Sequence, residues 1–254
     1  MSQPLLQVQD LLMQFQGLTA LDHVSFDLRK GSITSLMGPN GAGKTTLFNC
    51  VTGMYRATAG RVEFDGQELT TRRAHEIARC GIARTFQNLA LFGGLSVLDN
   101  LLVGTYLQGR SGLLQGAFLS RAARRERDEG TAAAHEVLRY LGLTDAAHLL
   151  PGELPYGRQK QLEFGRALMQ RARLILLDEP MAGMSQAEKQ AMTQLILRVR
   201  SEMNVTFLLV EHDVPVIMDI SDHIVVLDFG RKISEGNPAA VQADPAVIAA
   251  YLGQ

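Results

Sequence analysis

The sequence contains no tryptophan and only two cysteines, Cys50 and Cys80, among its 254 residues. Their spacing does not match a metal site, and we expect both to be buried small apolar residues of a reduced, cytosolic protein. No apolar run approaches the roughly 18 residues of a membrane-spanning helix. Residues 1–12 lack the basic and apolar regions of a signal peptide. The net charge of −1 gives no indication of non-specific nucleic-acid binding.

The rest of the composition is ordinary. With 46% hydrophobic and 20% charged residues, the chain can bury a core sufficient for one large domain or two small ones. No internal repeat or low-complexity tract is present. Short motifs therefore carry the functional information in this sequence.

A glycine-rich segment, residues 38–46, fits the phosphate-binding pattern G-x-x-x-x-G-K-[ST]. It follows an apolar run, Ile33–Met37, that predicts a strand, and it leads into a predicted helix over 46–51. The glycines allow successive backbone N–H groups to face phosphate oxygens, and the helix N-terminus adds partial positive charge. The candidate binding residues are Gly38, Pro39, Asn40, Gly41, Ala42, Gly43, Lys44, Thr45 and Thr46.

Three side chains of this loop carry specific expectations. Lys44 is expected to reach the β- and γ-phosphates, the Thr45 hydroxyl to ligate Mg²⁺, and Thr46 to lie near the α-phosphate. A glycine-rich turn without a ligand is the simpler alternative. We disfavour it because the lysine and the hydroxyl stand at the required spacing.

A second motif lies at the end of the apolar run Leu174–Leu177, where Asp178 and Glu179 follow in sequence. Such runs are typical of strands buried on both faces of a parallel sheet, whose carboxyl ends bind ligands. Asp178 suits Mg²⁺, directly or through water, and Glu179 suits polarisation of an attacking water. Two solvated acids at a strand end would be the favoured interpretation without the glycine-rich loop.

Two further polar residues follow apolar segments. His212 comes after the predicted strand Phe207–Val210, and Gln87 comes after the apolar stretch Gly81–Ala83. A lone histidine is usually structural, and a glutamine here could be an ordinary polar strand cap. The shared position at strand ends makes a γ-phosphate contact by His212 a reasonable hypothesis.

The order of these motifs resembles the ATPase subunit of ATP-binding-cassette (ABC) transporters over essentially the whole chain. Residues 38–46 are similar to its Walker A loop and 174–179 to its Walker B strand. Gln87 matches the Q-loop glutamine and His212 the switch histidine. The place of the L-S-G-G-Q signature, which binds the partner subunit's nucleotide, is taken by Leu154, Pro155, Tyr156, Gly157 and Arg158.

A closer resemblance is to the branched-chain amino acid transporter ATPases of bacteria. It rests on Arg84–Gln87, the Tyr156-Gly157 form of the signature, Glu211–Asp213 and the ending Ala250–Gly253. The long segment Tyr106–Thr131 is also in keeping with that subfamily. The implied solutes are branched-chain or other hydrophobic amino acids, with urea or short amides as an alternative.

The resemblance implies a set of roles in ATP hydrolysis. Glu179 would polarise the attacking water, while Gln87 and His212 would sense the γ-phosphate. Mg²⁺ would be held by Thr45, Gln87 and Asp178. The cofactor set is therefore ATP with Mg²⁺.

Phe15 matches the family position of the aromatic residue that stacks on adenine. An aromatic face offers a purine an apolar platform. The alternative is a core phenylalanine of the first β-ribbon, to which Leu11, Leu12 and Met13 would also belong.

The resemblance also implies partners and a location. The chain would be a peripheral subunit on the cytoplasmic face of the inner or plasma membrane, bound to integral membrane permease subunits and to a second ABC ATPase subunit. A periplasmic solute-binding protein would act indirectly, and no nucleic acid would bind. A soluble ABC ATPase of translation or DNA repair is an alternative, but a single cassette without heptads argues against it. A nucleotide kinase or GTPase would not need Gln87, the signature-like segment and His212.

The expected fold class is α/β, with a P-loop NTPase core of ABC type, an antiparallel β subdomain and an inserted helical subdomain. We expect a single ABC ATPase domain over 1–254, with 1–87 and 173–254 forming the nucleotide-binding core and 88–172 the helical signature subdomain. A helix is predicted over about 187–203. The predicted strands are an antiparallel region Leu5–Leu28 with a turn at Gln16-Gly17, then Arg61–Phe64, Leu174–Leu177, Thr206–Val210 and Ile224–Asp228.

Two positions depart from the family pattern. Pro155 replaces the signature serine that donates to the γ-phosphate of the opposite subunit, and proline offers neither a hydroxyl nor an N–H. Proline suits the first turn of a helix, so the helix itself can survive. Met184-Ser185-Gln186 stands where Leu-Asp-Pro is common. Both changes affect the half-site lent to a partner, so we expect a heterodimer with a more regular cassette, with a homodimer as the alternative.

Overall fold

The computed structural model describes residues 3–85, 87, 89–107 and 121–252. Its larger sheet has six strands in the order β10-β9-β3-β8-β7-β6. All neighbouring pairs are parallel except β9 and β10. The strands are β3 (Ile33–Met37), β6 (Ile82–Arg84), β7 (Leu174–Asp178), β8 (Thr206–Val210), β9 (His223–Asp228) and β10 (Arg231–Gly236).

The three apolar runs that predicted strands are confirmed, including the one at Leu174–Leu177 that was expected to be buried on both faces. Every residue of β3, β7 and β8 is buried, as expected of parallel strands covered on both faces. β7 extends one residue beyond the prediction, so that Asp178 is its last residue. The strand β10 was not anticipated from the sequence, because its Arg231–Gly236 segment is polar and half-exposed.

The smaller sheet is antiparallel, with strand order β2-β1-β4-β5. The predicted turn at Gln16-Gly17 connects β1 to β2, where Phe15 pairs with Leu18. Both turn residues have positive φ, 45° and 94°, which glycine accepts readily. The strands are β1 (Leu6–Phe15), β2 (Leu18–Leu28), β4 (Ala59–Phe64) and β5 (Gln67–Glu68).

Nine α-helices lie within the described residues. The region between β6 and β7 is helical there, as predicted, and also holds 3₁₀ turns at Gly104–Leu107, Thr144–Ala146 and Pro151–Glu153. Residues 108–120 of the subfamily-like segment lie outside the described residues. The helices are α1 (Lys44–Val51), α2 (Ala74–Arg79), α3 (Val97–Val103), α4 (Arg121–Leu141), α5 (Tyr156–Met169), α6 (Gln186–Met203), α7 (Val214–Ile220), α8 (Pro238–Gln242) and α9 (Pro245–Leu252).

Alternate residues of the parallel strands enter two different cores, since side chains along a strand alternate between its faces. Leu177 of β7 packs with α5 and α6, and Leu176 packs with α1 and the antiparallel sheet. The central sheet is therefore the layer that joins the helical region to the β-rich region. Among the described helices, none is long and apolar enough to cross a bilayer.

The two cysteines differ from each other. Cys50 is buried in α1, and burial raises the pKa of its thiol to about 11. Cys80 is only half-buried, so the expectation of two buried cysteines was wrong for this residue. It lies at the end of α2, and its sulfur accepts a hydrogen bond from Arg72 at 3.0 Å.

Candidate functional site

The glycine-rich loop connects the carboxyl end of β3 to α1. Gly38 begins the loop with φ 152°, and a Cβ at this position would lie 2.2 Å from the carbonyl oxygen of Leu227. Gly43 precedes the helix with φ 100°. Only glycine fits the first position, because the neighbouring β9 backbone occupies the space that a side chain would need. The start of the loop is thus held against the β9 backbone.

Lys44 is buried inside this loop. Its Nζ donates to the carbonyl oxygens of Gly38 at 2.5 Å and Pro39 at 2.8 Å. Burial lowers the pKa of the ammonium, while Glu179 and Asp178 act in the opposite direction. A buried cation with only carbonyl partners is suited to an incoming polyanion, which would supply the negative charge that the carbonyls lack.

The carboxyl ends of β6, β7 and β8 bring three of the predicted residues together. Gln87 Nε2 donates to Glu179 Oε2 at 3.1 Å, and His212 Nε2 lies 2.7 Å from Glu179 Oε1. This contact is a hydrogen bond to an ionised carboxylate when the imidazole carries its proton on Nε2, because an ionised carboxylate only accepts. Glu179 itself has φ 49°, and its backbone N–H donates to Val210 O at 2.9 Å.

Asp178 has a partner that the sequence did not indicate. Arg84, the last residue of β6, donates from Nη2 to Asp178 Oδ2 at 2.7 Å, with both side chains almost fully buried. Arg84 also donates to Asn49 of α1 at 2.6 Å and lies over the Phe48 ring at 5.5 Å. The available signal was an arginine that closes the otherwise apolar segment of β6.

Glu211 is a second residue of the site whose contacts the sequence did not indicate. Its buried carboxylate accepts from the backbone N–H of Met181 at 2.8 Å and of His212 at 3.1 Å. Burial raises its pKa, against the effect of these backbone hydrogen bonds. Nearby, Lys189 donates to Asp213 at 2.5 Å. These contacts tie the loop after β7 and helix α6 to the segment that carries the histidine.

Phe15, Lys44, Gln87, Glu179 and His212 line one cavity of about 560 Å³. Phe15 is 38% exposed and meets the Tyr55 ring edge-on at a centroid distance of 5.3 Å, so it is not a core residue of the β-ribbon. Asn40, Gly41, Ala42, Gly43, Thr45 and Thr46 also contribute to the lining. A larger cleft of about 960 Å³ beside α4 and α6 contains none of the predicted site residues, so volume alone does not identify the site.

The signature-like segment lies apart from this cavity. Leu154 is buried, Tyr156 is exposed, and Arg158 pairs with Asp145 at 2.5 Å. Pro155 has φ −54° and ψ 149° and is the N-cap of α5, not a residue of its first turn as expected. The physical reason is its extended ψ, which places the first helical residue one position later.

Ser185, one of the two departures from the family pattern, and Gly157, two residues after the other, meet at one carboxylate. Glu188 Oε1 accepts from the backbone N–H of Gly157 at 3.2 Å, and Glu188 Oε2 accepts from the Ser185 hydroxyl at 2.7 Å. Ser185 also caps α6. The start of α5 and the start of α6 are therefore joined, although 30 residues separate Pro155 from Ser185.

Residues 21–182 match the family described as "ABC transporter". The chain belongs to this family. Residues 231–254 match a second family, described as "Branched-chain amino acid ATP-binding cassette transporter". The resemblance and the ABC-type fold class predicted from the sequence are both confirmed.

Relatives and solved structures agree with this assignment. BraF of Pseudomonas aeruginosa, a "High-affinity branched-chain amino acid transport ATP-binding protein", is 43% identical over the full length of both chains. LivG of Escherichia coli, with the same description, is 41% identical over the full length. A nucleotide-free ATP-binding cassette from an ABC transporter superposes with TM-score 0.86 and 32% identity, covering 99% of this chain and 100% of its own. This ABC cassette is therefore an ATP-binding ATPase.

Replacing Lys44 tests the loop. We expect Lys44→Ala to bind Mg-ATP about 10- to 100-fold more weakly, because the triphosphate loses its main cationic partner. Calorimetry measures the affinity and circular dichroism checks the fold. Lys30→Ala removes an exposed lysine before the other end of β3 and serves as the control. Unchanged affinity in folded Lys44→Ala would show that ATP binds elsewhere.

Proposed function

We propose that this chain is the ATP-hydrolysing subunit of an importer for branched-chain or other hydrophobic amino acids. It would be held at the cytoplasmic face of the membrane by integral permease subunits. The convergence of Lys44, Gln87, Glu179 and His212 on one cavity carries the proposal for the chemistry. The full-length relatives, described as branched-chain amino acid transport proteins, support the solute class.

The geometry supports a simple hydrolytic step. The triphosphate lies in the loop, where Lys44 and the backbone N–H groups neutralise charge on the transferred phosphoryl group. A water beside Glu179 attacks the γ-phosphorus, its proton passes to the carboxylate, and the bond to the β-phosphate oxygen breaks to leave ADP and phosphate. His212 and Gln87 hold the Glu179 carboxylate in place at 2.7 and 3.1 Å.

The donor set near the loop suits Mg²⁺, a cation that prefers oxygen ligands and phosphate. We propose that Thr45, Gln87 and Asp178 hold it, through a hydroxyl, an amide oxygen and a carboxylate. The ion would supply charge neutralisation between the β- and γ-phosphates. In this structure Asp178 Oδ2 accepts from Arg84 Nη2 at 2.7 Å, which leaves Oδ1 as the carboxylate oxygen that would face the ion.

Replacing the proposed base tests the chemistry. Glu179→Gln keeps the shape but removes the proton acceptor, so we expect ATP to bind while hydrolysis falls by roughly 100-fold or more. Phosphate release by the assembled complex is the measurement, and a closed, ATP-loaded dimer is expected to accumulate. Glu129→Gln, at an exposed site on α4, is the matched control. Near-normal turnover of Glu179→Gln would remove this residue from the proposed role.

The segment after Gln87 suits contact with a permease. Phe92 is 48% exposed and Leu95 37% exposed, although both are apolar. Asn100 ties this loop to α3, because it accepts from the Phe92 N–H and donates to the carbonyls of Phe92 and Leu95. The Arg166 guanidinium lies 5.0 Å from the Phe92 ring centroid. We propose that Asn88–Leu95 line a groove that receives a cytoplasmic helix of the permease; the first of these residues, Asn88, lies outside the described residues.

A charge at this loop tests coupling. We expect Phe92→Glu or Leu91→Glu to abolish transport while Mg-ATP affinity stays unchanged, because the apolar contact with a permease helix would be lost. Solute uptake into vesicles and calorimetry measure the two properties. Phe92→Leu keeps an apolar side chain and is the control. Cross-linking that finds no permease residue near this loop would count against the importer.

We also propose that this chain forms a dimer with a second ABC ATPase subunit. Two cassettes would close head to tail over two ATPs, each bound between the loop of one chain and the signature of the other. Pro155 and Ser185 weaken only what this chain lends to its neighbour, so a heterodimer with a more regular cassette is favoured over a homodimer. A periplasmic solute-binding protein would deliver the amino acid to the permease without contacting this chain.

Asymmetry between the two ATP sites is the expected consequence. The site using this chain's Lys44 faces a complete signature and turns over faster than the site facing Leu154–Arg158. Glu179→Gln is therefore expected to cost more activity than the equivalent change in the partner cassette. ATPase rates of the two single variants in the purified complex make the comparison. Equal losses, or a fully active homodimer, would contradict the asymmetry.

A further inference from the structure

Phe229 is the most exposed of the large apolar side chains in the described residues, at 81%. It forms, with Gly230, the two-residue connection of the β9–β10 hairpin, whose flanking residues Asp228 and Arg231 pair directly. Transferring an apolar ring from water into a protein core stabilises a fold, and a ring left in water contributes no such stabilisation. Exposure of the Phe229 ring therefore does not stabilise the folded chain. The turn follows the carboxyl end of β9, at the sheet edge that carries the other site residues.

The backbone at Phe229 is also unfavourable. Phe229 has φ 41° and Gly230 has φ 79°, the pattern of a two-residue hairpin turn that strongly prefers Asn-Gly. A bulky side chain with positive φ is disfavoured, because its Cβ crowds the following carbonyl oxygen. Such conformations persist where the surroundings hold them, and they cluster at functional sites.

The surroundings hold this turn tightly. The Gly230 N–H donates to the Ala42 carbonyl of the phosphate-binding loop at 3.1 Å, and the Gly230 carbonyl accepts from the Asp22 N–H at 2.8 Å. A Cβ at Gly230 would lie 2.8 Å from the carbonyl oxygen of Ala20. Arg231 adds an ion pair with Asp22 at 2.6 Å. The residues that follow Phe229 are thus bonded to β2 on one side and to the glycine-rich loop on the other.

The ring lines the nucleotide cavity. Phe229 shares the lining with Phe15, Leu18 and Ala20, whereas Lys44, Glu179 and the loop make the polar part. A triphosphate would occupy the polar part, which leaves the apolar part for the base and ribose. We propose that Phe229 is a second aromatic wall of the nucleotide site, which contacts the base and ribose of ATP bound at Lys44. This inference rests on the proposed ATP site.

The test compares a probe with a base and one without. Glu179→Gln prevents turnover and is the parent for Phe229→Asn and the control Phe229→Tyr. We expect Phe229→Asn to bind Mg-ATP about three- to tenfold more weakly and Mg-tripolyphosphate equally well, since only ATP has a base to contact. Phe229→Tyr should keep both affinities. Calorimetry measures the affinities of both variants and of the parent for Mg-ATP and for Mg-tripolyphosphate.

Thermal unfolding separates a binding role from a structural one. Asparagine accepts positive φ, and the exposed ring buries little, so Phe229→Asn is expected to raise the melting temperature by about 2–4 °C. A Phe229→Asn variant that melts at a higher temperature than its parent and binds Mg-ATP more weakly supports the inference. Unchanged ATP affinity overturns it, because the ring then makes no contact that stabilises bound ATP. Equal losses for ATP and tripolyphosphate also overturn it, because they would show that the turn acts through the loop. A parent that binds no ATP overturns the proposed function as well.

Discussion

Parallel pairing of buried strands is the constraint on which the nucleotide site depends. β9, β3, β8, β7 and β6 run in one direction and are hydrogen-bonded in register, so their carboxyl ends share one edge. That edge brings Gln87 against Glu179 across 92 residues of sequence. A slip of one residue in β7 would turn Asp178 to the other face of the sheet. The apolar side chains that fill the two cores hold this register.

Charge balance is the second requirement of the site. Buried ions need partners because burial removes their hydration, and three carboxyl groups at this edge have them. Asp178 has Arg84, Glu179 has Gln87 and His212, and Glu211 has backbone N–H groups. Lys44 differs from these carboxylates, since its hydrogen-bond partners are neutral carbonyls and not groups of opposite charge. This arrangement leaves its charge available to a phosphate.

The segments that we propose to contact a second cassette are organised separately from the cavity. Glu188 links the start of α5 to the cap of α6, so Gly157 and Ser185 are positioned by one side chain. The Glu211 contacts connect the loop before α6 to the His212 segment. A displacement at the proposed dimer surface could therefore reach this chain's own ATP site through short, direct hydrogen bonds.

By itself the sequence determined the elements whose signals are local. The glycine-rich loop between Ile33–Met37 and α1, the doubly buried strands, and the turn at Gln16-Gly17 follow from residue type and spacing alone, because each depends on neighbours in the chain. The polar strand β10 gave no apolar pattern, and the N-cap position of Pro155 depends on one ψ angle, so neither could be predicted.

Only the tertiary structure decided which distant side chains meet. Arg84 lies beside Asp178 because β6 is the neighbour of β7, and no spacing in the sequence encodes strand order. Phe229 enters the nucleotide cavity because β9 pairs with β3 and the hairpin turn is bonded to the phosphate-binding loop. These contacts arise from long-range pairing and from backbone angles that packing imposes, which a linear pattern does not contain.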